Sequence, residues 1–195
     1  MRIIGGRLRG RRLATVKGAI RPTAERVREA IFNILGDRVN GSQVLDLFAG
    51  TGALGIEALS RGAGAVVFVE HQRSSLQVLG RNLRLCGLAK VCQIYPLPVQ
   101  QALPRLASQG KKFQLIFLDP PYAQGLAGRT LALLARLPLL DPSATIVVEH
   151  SRAEELGTAY DGLVCQDRRQ YGDTAVSFYH PSDPLRETGT PLGPE

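Results

Sequence analysis

Between residues 43 and 149 the chain alternates short apolar segments with longer segments whose apolar residues recur every three or four positions. This alternation constrains the fold more than any other feature, because strands joined by crossover helices produce it. Apolar runs such as VVFV are hydrophobic on both faces, as strands in a helix-covered parallel sheet must be. The sequence therefore predicts an α/β fold with a mostly parallel sheet and helices on both of its faces. Strands are expected at 43–48, 65–70, 91–95, 113–119 and 144–149, and helices at 22–36, 53–61, 72–86, 99–108 and 127–137.

Three parts follow one another along the chain. Residues 1–21 are predicted to form a basic arm, residues 22–180 the main domain, and residues 181–195 a tail. Within the main domain, residues 163–180 have the pattern of two strands joined by a turn at Gly172. The tail is rich in proline and glycine and is predicted to be disordered.

Positive charge is concentrated at the N terminus. The net charge is +7, and residues 1–21 carry seven basic side chains and no acid, so the rest of the chain is neutral by formal count. The β-forming residues and glycines of this arm predict a short hairpin. Such an arm suits the phosphate backbone of a nucleic acid, where each contact releases a counterion; the alternative is a segment that only aids solubility. The candidate RNA-binding residues are Arg7, Arg9, Arg11 and Arg12.

Composition disfavours several other classes of protein. No apolar run reaches the ~18 residues of a membrane span, and the N terminus lacks the apolar region of a secretory signal. The three cysteines have no paired metal-ligand spacing. We therefore expect a cytoplasmic protein with reduced thiols, no bound metal and no membrane association.

A glycine loop follows the first strand. Gly50, Gly52 and Gly55 form the pattern G-x-G-x-x-G, and Glu70 lies 20 residues after Gly50. In such a loop the backbone can approach a ligand closely. Glu70, at the end of the second strand, is suited to accept hydrogen bonds from both ribose hydroxyls. A nicotinamide dinucleotide and S-adenosylmethionine both fit this pattern.

Asp46 favours S-adenosylmethionine of the two ligands. It lies on the first strand, four residues before Gly50 and close to the loop. A dinucleotide places its anionic pyrophosphate at this loop, where a carboxylate would repel it. S-adenosylmethionine has no phosphate and carries an ammonium and a sulfonium group, which a carboxylate attracts.

The fourth strand ends in the sequence LIFLDPPY. Asp119 and Pro120 are expected at the carboxyl end of this strand, beside the strand that carries Asp46. A carboxylate and the Pro120 carbonyl can each accept one N–H of an exocyclic amine, which orients a weak nucleophile towards a methyl donor. Tyr122 offers a flat ring on which a base can stack. Asp119, Pro120 and Tyr122 are therefore the candidate catalytic residues.

The glycine loop and the sequence DPPY resemble motifs I and IV of class I S-adenosylmethionine-dependent methyltransferases, in the form typical of enzymes that act on amino nitrogens. Together with the stretches RIIGGRLRGRRL, RPTAERVREAIFNIL, LDLFAGTGALGIEALSRGA and FLDPPY, the chain closely resembles the bacterial RsmD family over most of residues 2–150. This resemblance implies a Rossmann-like class I methyltransferase fold with a seven-stranded sheet.

The same resemblance implies a function. The family methylates N2 of a guanine in 16S ribosomal RNA, so the expected partner is 16S rRNA within the assembling or assembled 30S subunit, and the expected state is a monomer. S-adenosylmethionine is the expected cofactor and S-adenosylhomocysteine its product. The resemblance also places Thr23 and Arg26 at the cofactor pocket, and Phe48 joins the cofactor-binding residues of motif I.

Three alternatives stay open at this stage. The chain could be another amino-nitrogen methyltransferase, acting on adenine N6 of DNA or glutamine N5 of a protein. It could be an NAD-dependent oxidoreductase that uses the glycine loop for a dinucleotide. It could also be a non-catalytic RNA-binding module, although Asp119 and the glycine loop argue against that.

Overall fold

The computed structural model describes residues 1–15, 22–121 and 125–182, without the side chains of residues 22–24. Within these ranges, none of the helices combines the length and the apolar character that crossing a membrane requires. Parts of the sequence predictions lie outside the described residues: residues 16–21 of the predicted basic arm, the Thr23 side chain, Tyr122 and the tail from residue 183.

One sheet forms the centre of the described structure, with its strands in the order β3-β2-β1-β4-β5-β8-β7-β6. The first five in that order are parallel, and the last three pair antiparallel. The strands are β1 (Gln43–Leu47), β2 (Ala65–Val69), β3 (Cys92–Tyr95), β4 (Phe113–Leu118), β5 (Leu140–Ser151), β6 (Ala159–Tyr160), β7 (Leu163–Tyr171) and β8 (Thr174–Pro181).

The mostly parallel α/β fold is confirmed, and two details differ from expectation. The described sheet has eight strands instead of seven, because the two-residue β6 is too short to produce an alternation in the sequence. β5 begins at Leu140, four residues before its expected start. Asp141, Pro142 and Ser143 are turn-forming residue types, yet they lie within the strand, next to a register shift in its pairing with β4.

Five α-helices of the described chain cover the two faces of the sheet. They are α1 (Pro22–Leu35), α2 (Ala53–Ser60), α3 (Arg73–Leu85), α4 (Val99–Ser108) and α5 (Leu126–Arg136). Helices α1, α2 and α3 pack on the face that carries Phe68 and Phe117. Helices α4 and α5 pack on the face that carries Leu45 and Ile116. Because side chains alternate along a strand, Asp46 projects from the face covered by α1–α3.

The strand order places a crevice at the carboxyl ends of β1 and β4. From β1 the chain runs outward to β2 and β3, then returns to β4 on the opposite side of β1. Helices leave in opposite directions at such a switch point, and this opening is where ligands of parallel sheets bind.

Residues 1–15, which we call the N-terminal segment, pack against the main domain. Its two limbs pair antiparallel through a bridge between Arg2 and Arg12, in line with the expected hairpin, and a short 3-10 helix, Gly6–Leu8, lies between them. Ile3 and Leu13 are buried in the same core as α1–α3. The segment is therefore part of the packed structure, which its charge pattern did not indicate.

Helix α2 holds this segment through polar contacts. The Glu57 carboxylate accepts the N–H groups of Ile4 and Gly5 at 2.8 and 2.7 Å. The Ser60 hydroxyl accepts the N–H of Leu8 and donates to the Gly5 carbonyl. Gly6 has a φ of 72°, and a Cβ at this position would lie 1.9 Å from the Ser60 carbonyl oxygen. The segment can approach α2 this closely only because residue 6 has no side chain.

Gly6→Ala should destabilise the protein more than Gly10→Ala. Both glycines have positive φ, so each alanine incurs about 1–2 kcal/mol of backbone strain. A Cβ at Gly10 meets no atom of the described chain within 4 Å, whereas a Cβ at Gly6 collides with α2 and should cost about 1–3 kcal/mol more. Denaturant unfolding gives the two free energies, and hydrogen exchange at the Ile4 and Gly5 amides reports docking. Equal losses in both variants would contradict the importance of this close approach.

Candidate active site

The loop between β1 and α2 has an unusual backbone. Phe48, Gly50 and Gly52 all have positive φ, at 58°, 54° and 81°. Glycine adopts this conformation readily, but an aromatic residue does so only under strain. Phe48 also lines the cavity described below, so the strained residue lies at the expected ligand site.

Glu70 fixes the glycine loop to the end of β2. One oxygen of its carboxylate accepts the Gly50 N–H at 2.9 Å, and the other accepts the N–H groups of His71 and Gln72 at 2.7 Å. A carboxylate offers about four acceptor positions, so these three bonds leave about one for a ligand hydroxyl. Glu70 can therefore accept hydrogen bonds from both ribose hydroxyls only if it gives up one of its three hydrogen bonds to backbone N–H groups.

Asp46 lies under the start of α2. Its carboxylate is buried, with 2% of the residue exposed, and accepts the Gly55 N–H at 2.9 Å. A Cβ on Gly55 would lie 2.4 Å from the Phe68 ring and 2.9 Å from this carboxylate. The third glycine of the motif therefore lets the helix approach the strand closely enough to hold Asp46.

The Asp46 carboxyl is unfavourable as an anion in this environment. Burial raises its pKa to about 8, the Glu70 carboxylate adds to the rise, and the hydrogen bond from Gly55 opposes it. A cationic ligand in the cavity would reverse this balance. The residues thus fit a cofactor with an ammonium and a sulfonium group, and they do not fit a pyrophosphate.

The glycines differ in what surrounds them. Among the described residues, a Cβ on Gly50 would approach only the Phe48 carbonyl oxygen, at 3.9 Å, and Gly50 lines the cavity. A Cβ on Gly52 would instead lie 2.4 Å from Leu79 in the core. Gly52 thus allows the loop to pack against α3, and the structure does not place it on the cavity wall.

A cavity of about 380 Å³ opens at the carboxyl ends of the strands, which is within the usual size of small-molecule sites. The N-terminal segment, the glycine loop and three strand ends all contribute to it. Its described lining comprises Met1, Thr15, Arg28, Asp46, Phe48, Ala49, Gly50, Thr51, Ala53, Leu54, Gln72, Ser75, Asp119 and Glu149.

Asp119 lies at this cavity as expected. It follows Leu118, the last residue of β4, and its side chain is exposed, whereas Pro120 is buried. Asp46 and Asp119 line the same cavity, so the glycine loop and the DPPY motif meet in space. Tyr122 lies outside the described residues, and its role stays a prediction.

Helix α1 reaches the cavity through Arg28 and not through Arg26. Arg26 is exposed and lines a groove between α1 and the N-terminal segment. Arg28 is 4% exposed and donates from Nη2 to the Arg2 carbonyl at 2.7 Å. Burial lowers the pKa of its guanidinium, while Glu57 is the main group opposing that change. The expected contact of Arg26 with the cofactor has no counterpart among the described contacts.

Arg28 and Glu149 line the cavity, and Asn82 supports the glycine loop. The sequence analysis missed all three. Arg28 is a basic residue on the apolar stripe of α1, between Val27 and Ile31, and that position was a usable signal. The Asn82 side chain, which is fully buried, bonds both Ala14 and the Thr51 carbonyl. It links the N-terminal segment to the glycine loop, and nothing local in the sequence marks it.

The four candidate RNA-binding arginines are all exposed. Arg11 donates from Nη1 to the carbonyl of Leu85, the last residue of α3, at 2.6 Å. A cation at this position also interacts favourably with the helix dipole. Arg11 therefore has a structural contact, while Arg7, Arg9 and Arg12 are the better candidates for phosphate binding.

Known proteins resemble this chain over almost its whole length. The family model described as conserved hypothetical protein 95 matches residues 1–180. "Putative rRNA methyltransferase YlbH" of Bacillus subtilis is 40% identical, covering 92% of this chain and 98% of the relative. Ribosomal RNA small subunit methyltransferase D of Escherichia coli K12 is 37% identical, covering 92% and 89%.

The fold has a close match among solved structures. The structure titled "Putative methyltransferase yhhF from Escherichia coli" superposes with a TM-score of 0.81 at 36% sequence identity. The match covers 93% of this chain and 98% of the other. The arrangement of strands and helices around the cavity is therefore shared with that protein.

Asp46→Asn should stabilise the ligand-free protein increasingly as the pH rises. The unfolded carboxyl ionises near pH 4, whereas burial raises the folded pKa to about 8. Between these values the folded state retains a proton that the unfolded state has lost, so wild-type stability falls with rising pH. The variant should gain about 1.4 kcal/mol per pH unit relative to wild type between pH 5 and 7.

Urea unfolding at several pH values measures this gain. Asp37→Asn, which removes an exposed carboxylate, is the matched control and should follow wild type. A constant difference between Asp46→Asn and wild type across the range would contradict an uncompensated buried carboxyl.

Proposed function

The chain belongs to the RsmD family, and we propose that it is an S-adenosylmethionine-dependent methyltransferase of small-subunit ribosomal RNA, acting on the exocyclic N2 amino group of a guanine in 16S rRNA. One observation carries the proposal. The buried Asp46 and the exposed Asp119 line a single cavity, and Pro120 directly follows Asp119 at the end of β4. A site for a cationic cofactor and a site for an amine therefore lie side by side.

Several residues are suited to hold the cofactor. S-adenosylmethionine supplies an electrophilic methyl group when it is bound. Asp46 provides negative charge for the cofactor's cationic groups, and the backbone at Gly50 allows close approach. Glu70 has acceptor capacity for a ribose hydroxyl. Phe48 contributes apolar surface to the cavity wall, and contacts from Thr23 and Gly52 remain part of the proposal.

Asp119 and Pro120 are proposed to act on the methyl acceptor. The lone pair of a guanine N2 is delocalised into the ring, so the nitrogen is a weak nucleophile. Hydrogen bonds from its two N–H groups to the Asp119 carboxylate and the Pro120 carbonyl would orient that lone pair. With its lone pair so oriented, the nitrogen would accept the methyl group that the cofactor supplies, and it would release its surplus proton to solvent past the exposed Asp119.

The macromolecular partner is proposed from family membership and charge. The name of the Escherichia coli relative specifies small-subunit ribosomal RNA, and exposed arginines of the N-terminal segment suit a phosphate backbone. We propose that the chain acts as a monomer on 16S rRNA within the assembling or assembled 30S subunit.

The direct test uses 30S subunits from a strain that lacks the modification. The protein is incubated with these subunits and cofactor carrying a labelled methyl group, and the modified base is then mapped and identified by mass spectrometry. N2-methylguanine at a single 16S position would support the proposal. Label on adenine, on protein, or on no component would refute it.

Asp119→Ala should abolish turnover while preserving cofactor binding, because the contact of Asp119 belongs to the acceptor. We expect kcat to fall about 100-fold or more, as for loss of a group that acts in the transition state. Single-turnover methylation measures the rate, and calorimetry with S-adenosylhomocysteine measures binding. Asp37→Ala, an exposed position outside the cavity lining, is the control. Near wild-type turnover in Asp119→Ala would disprove this role.

Replacing Arg7, Arg9 and Arg12 with glutamine should reduce the salt dependence of RNA binding. Each lost phosphate contact should lower the log–log slope by roughly 0.7–0.9. KM for RNA should rise, and cofactor affinity should stay the same because these exposed side chains are not part of the cavity lining. Fluorescence anisotropy at several salt concentrations gives the slope.

Lysine at the same three positions preserves the charge and should preserve the slope. Arg11 is left in place in both variants because it also bonds α3. An unchanged slope in the glutamine variant would mean that the segment has only a structural role.

A further inference from the structure

Glu149 lies beside Asp119 at the cavity and has no role in the mechanism above. Strands β4 and β5 are parallel, with Leu118 opposite Val148. Asp119 directly follows Leu118 at the end of β4, and Glu149 follows Val148 within β5, so the two residues occupy neighbouring positions at the same edge. Alternation along the strands places both on the α1–α3 face, where both line the cavity.

A buried donor shares this wall. Arg28 is 4% exposed, lines the same cavity, and is close enough to Glu149 for electrostatic attraction. Its Nε has no hydrogen-bond partner among the described residues, and the Glu57 Oε2 with which it forms an ion pair lies 3.7 Å away. A buried donor without an acceptor is costly. Arg28 Nε therefore favours a ligand that brings a hydrogen-bond acceptor, while the carboxylates of Asp119 and Glu149 favour a ligand that also brings donors.

The Watson–Crick edge of guanine has that pattern. It presents the O6 acceptor, the N1–H donor and the N2 amino donor in a row. Adenine and cytosine also present an exocyclic amine, but the ring nitrogen beside it carries a lone pair. A carboxylate next to the amine site would therefore attract guanine and repel the other two bases.

We propose that Glu149 is a specificity-determining residue, whose carboxylate accepts the N1–H of the target guanine while Asp119 receives the adjacent N2 amino group. This assignment rests on the proposed function, which it extends from the reacting nitrogen to the recognition of the whole base. It explains how a site built on a general amino-methyltransferase motif selects guanine.

The test compares an RNA substrate containing the target guanine with the same RNA containing 2-aminopurine at that position. 2-Aminopurine keeps the N2 amine but has a lone pair at N1. The wild-type enzyme should prefer guanine by about 100-fold or more in kcat/KM, because the Glu149 carboxylate on the cavity wall would face the N1 lone pair of the analogue instead of an N–H donor. Equal methylation of both RNAs by the wild-type enzyme would overturn the proposal without reference to any variant.

Glu149→Gln separates the contribution of residue 149 to this preference from the difference in intrinsic reactivity between the two bases. An amide can turn to donate to N1 of 2-aminopurine or to accept from guanine, so the preference for guanine should fall at least about 10-fold. Comparing the variant's preference with the wild-type preference cancels the different nucleophilicities of the amines. Glu155→Gln makes the same charge change at an exposed position after β5 and should retain the full preference.

Calorimetry with S-adenosylhomocysteine checks that each variant is folded. An unchanged preference in a folded Glu149→Gln enzyme would overturn the role of Glu149 and leave the proposed function intact. Failure of the wild-type enzyme to form N2-methylguanine on the guanine RNA would instead refute the proposed function, and the assignment of Glu149 with it.

Discussion

The buried carboxylate of Glu57 organises the part of the molecule that surrounds the site. Only 1% of this residue is exposed, and a buried carboxylate must be compensated by donors or cations. Two backbone N–H groups of the N-terminal segment, Arg61 at 2.8 Å and Arg28 at 3.7 Å supply that compensation. The segment and α1 are thereby held against α2. Met1, Thr15 and Arg28 reach the cavity wall as a consequence of this arrangement.

Two other carboxylates at the strand ends illustrate how environment assigns different roles to one functional group. Glu70 accepts three backbone N–H bonds and anchors the glycine loop. Asp46 accepts one such bond and is buried, so its anionic form lacks compensation until a cation arrives. The first carboxylate shapes the loop, and the second favours binding of a positively charged ligand.

Most of the fold and the centre of the site were predictable because their signals are local. Apolar runs and glycine turns marked the strand and helix positions to within about two residues, apart from the early start of β5. Since β1 and β4 had to meet at one sheet edge, the sequence alone was enough to expect Asp46 and Asp119 in one cavity. Arg26 is exposed and does not line that cavity. The position of a residue in a family's sequence motif does not specify which face of α1 turns inward.

The sequence by itself determined the parallel sheet, the glycine loop and the acidic strand ends, since each depends on residues close together in the chain. Only the tertiary structure decided the contacts of the N-terminal segment, because Glu57 lies more than 50 residues from Ile4 and Asn82 lies 68 from Ala14. It alone also brought Arg28 and Glu149, on elements far apart in the chain, to the wall of one cavity. Burial and long-range pairing depend on which surfaces meet, and no local pattern encodes that choice.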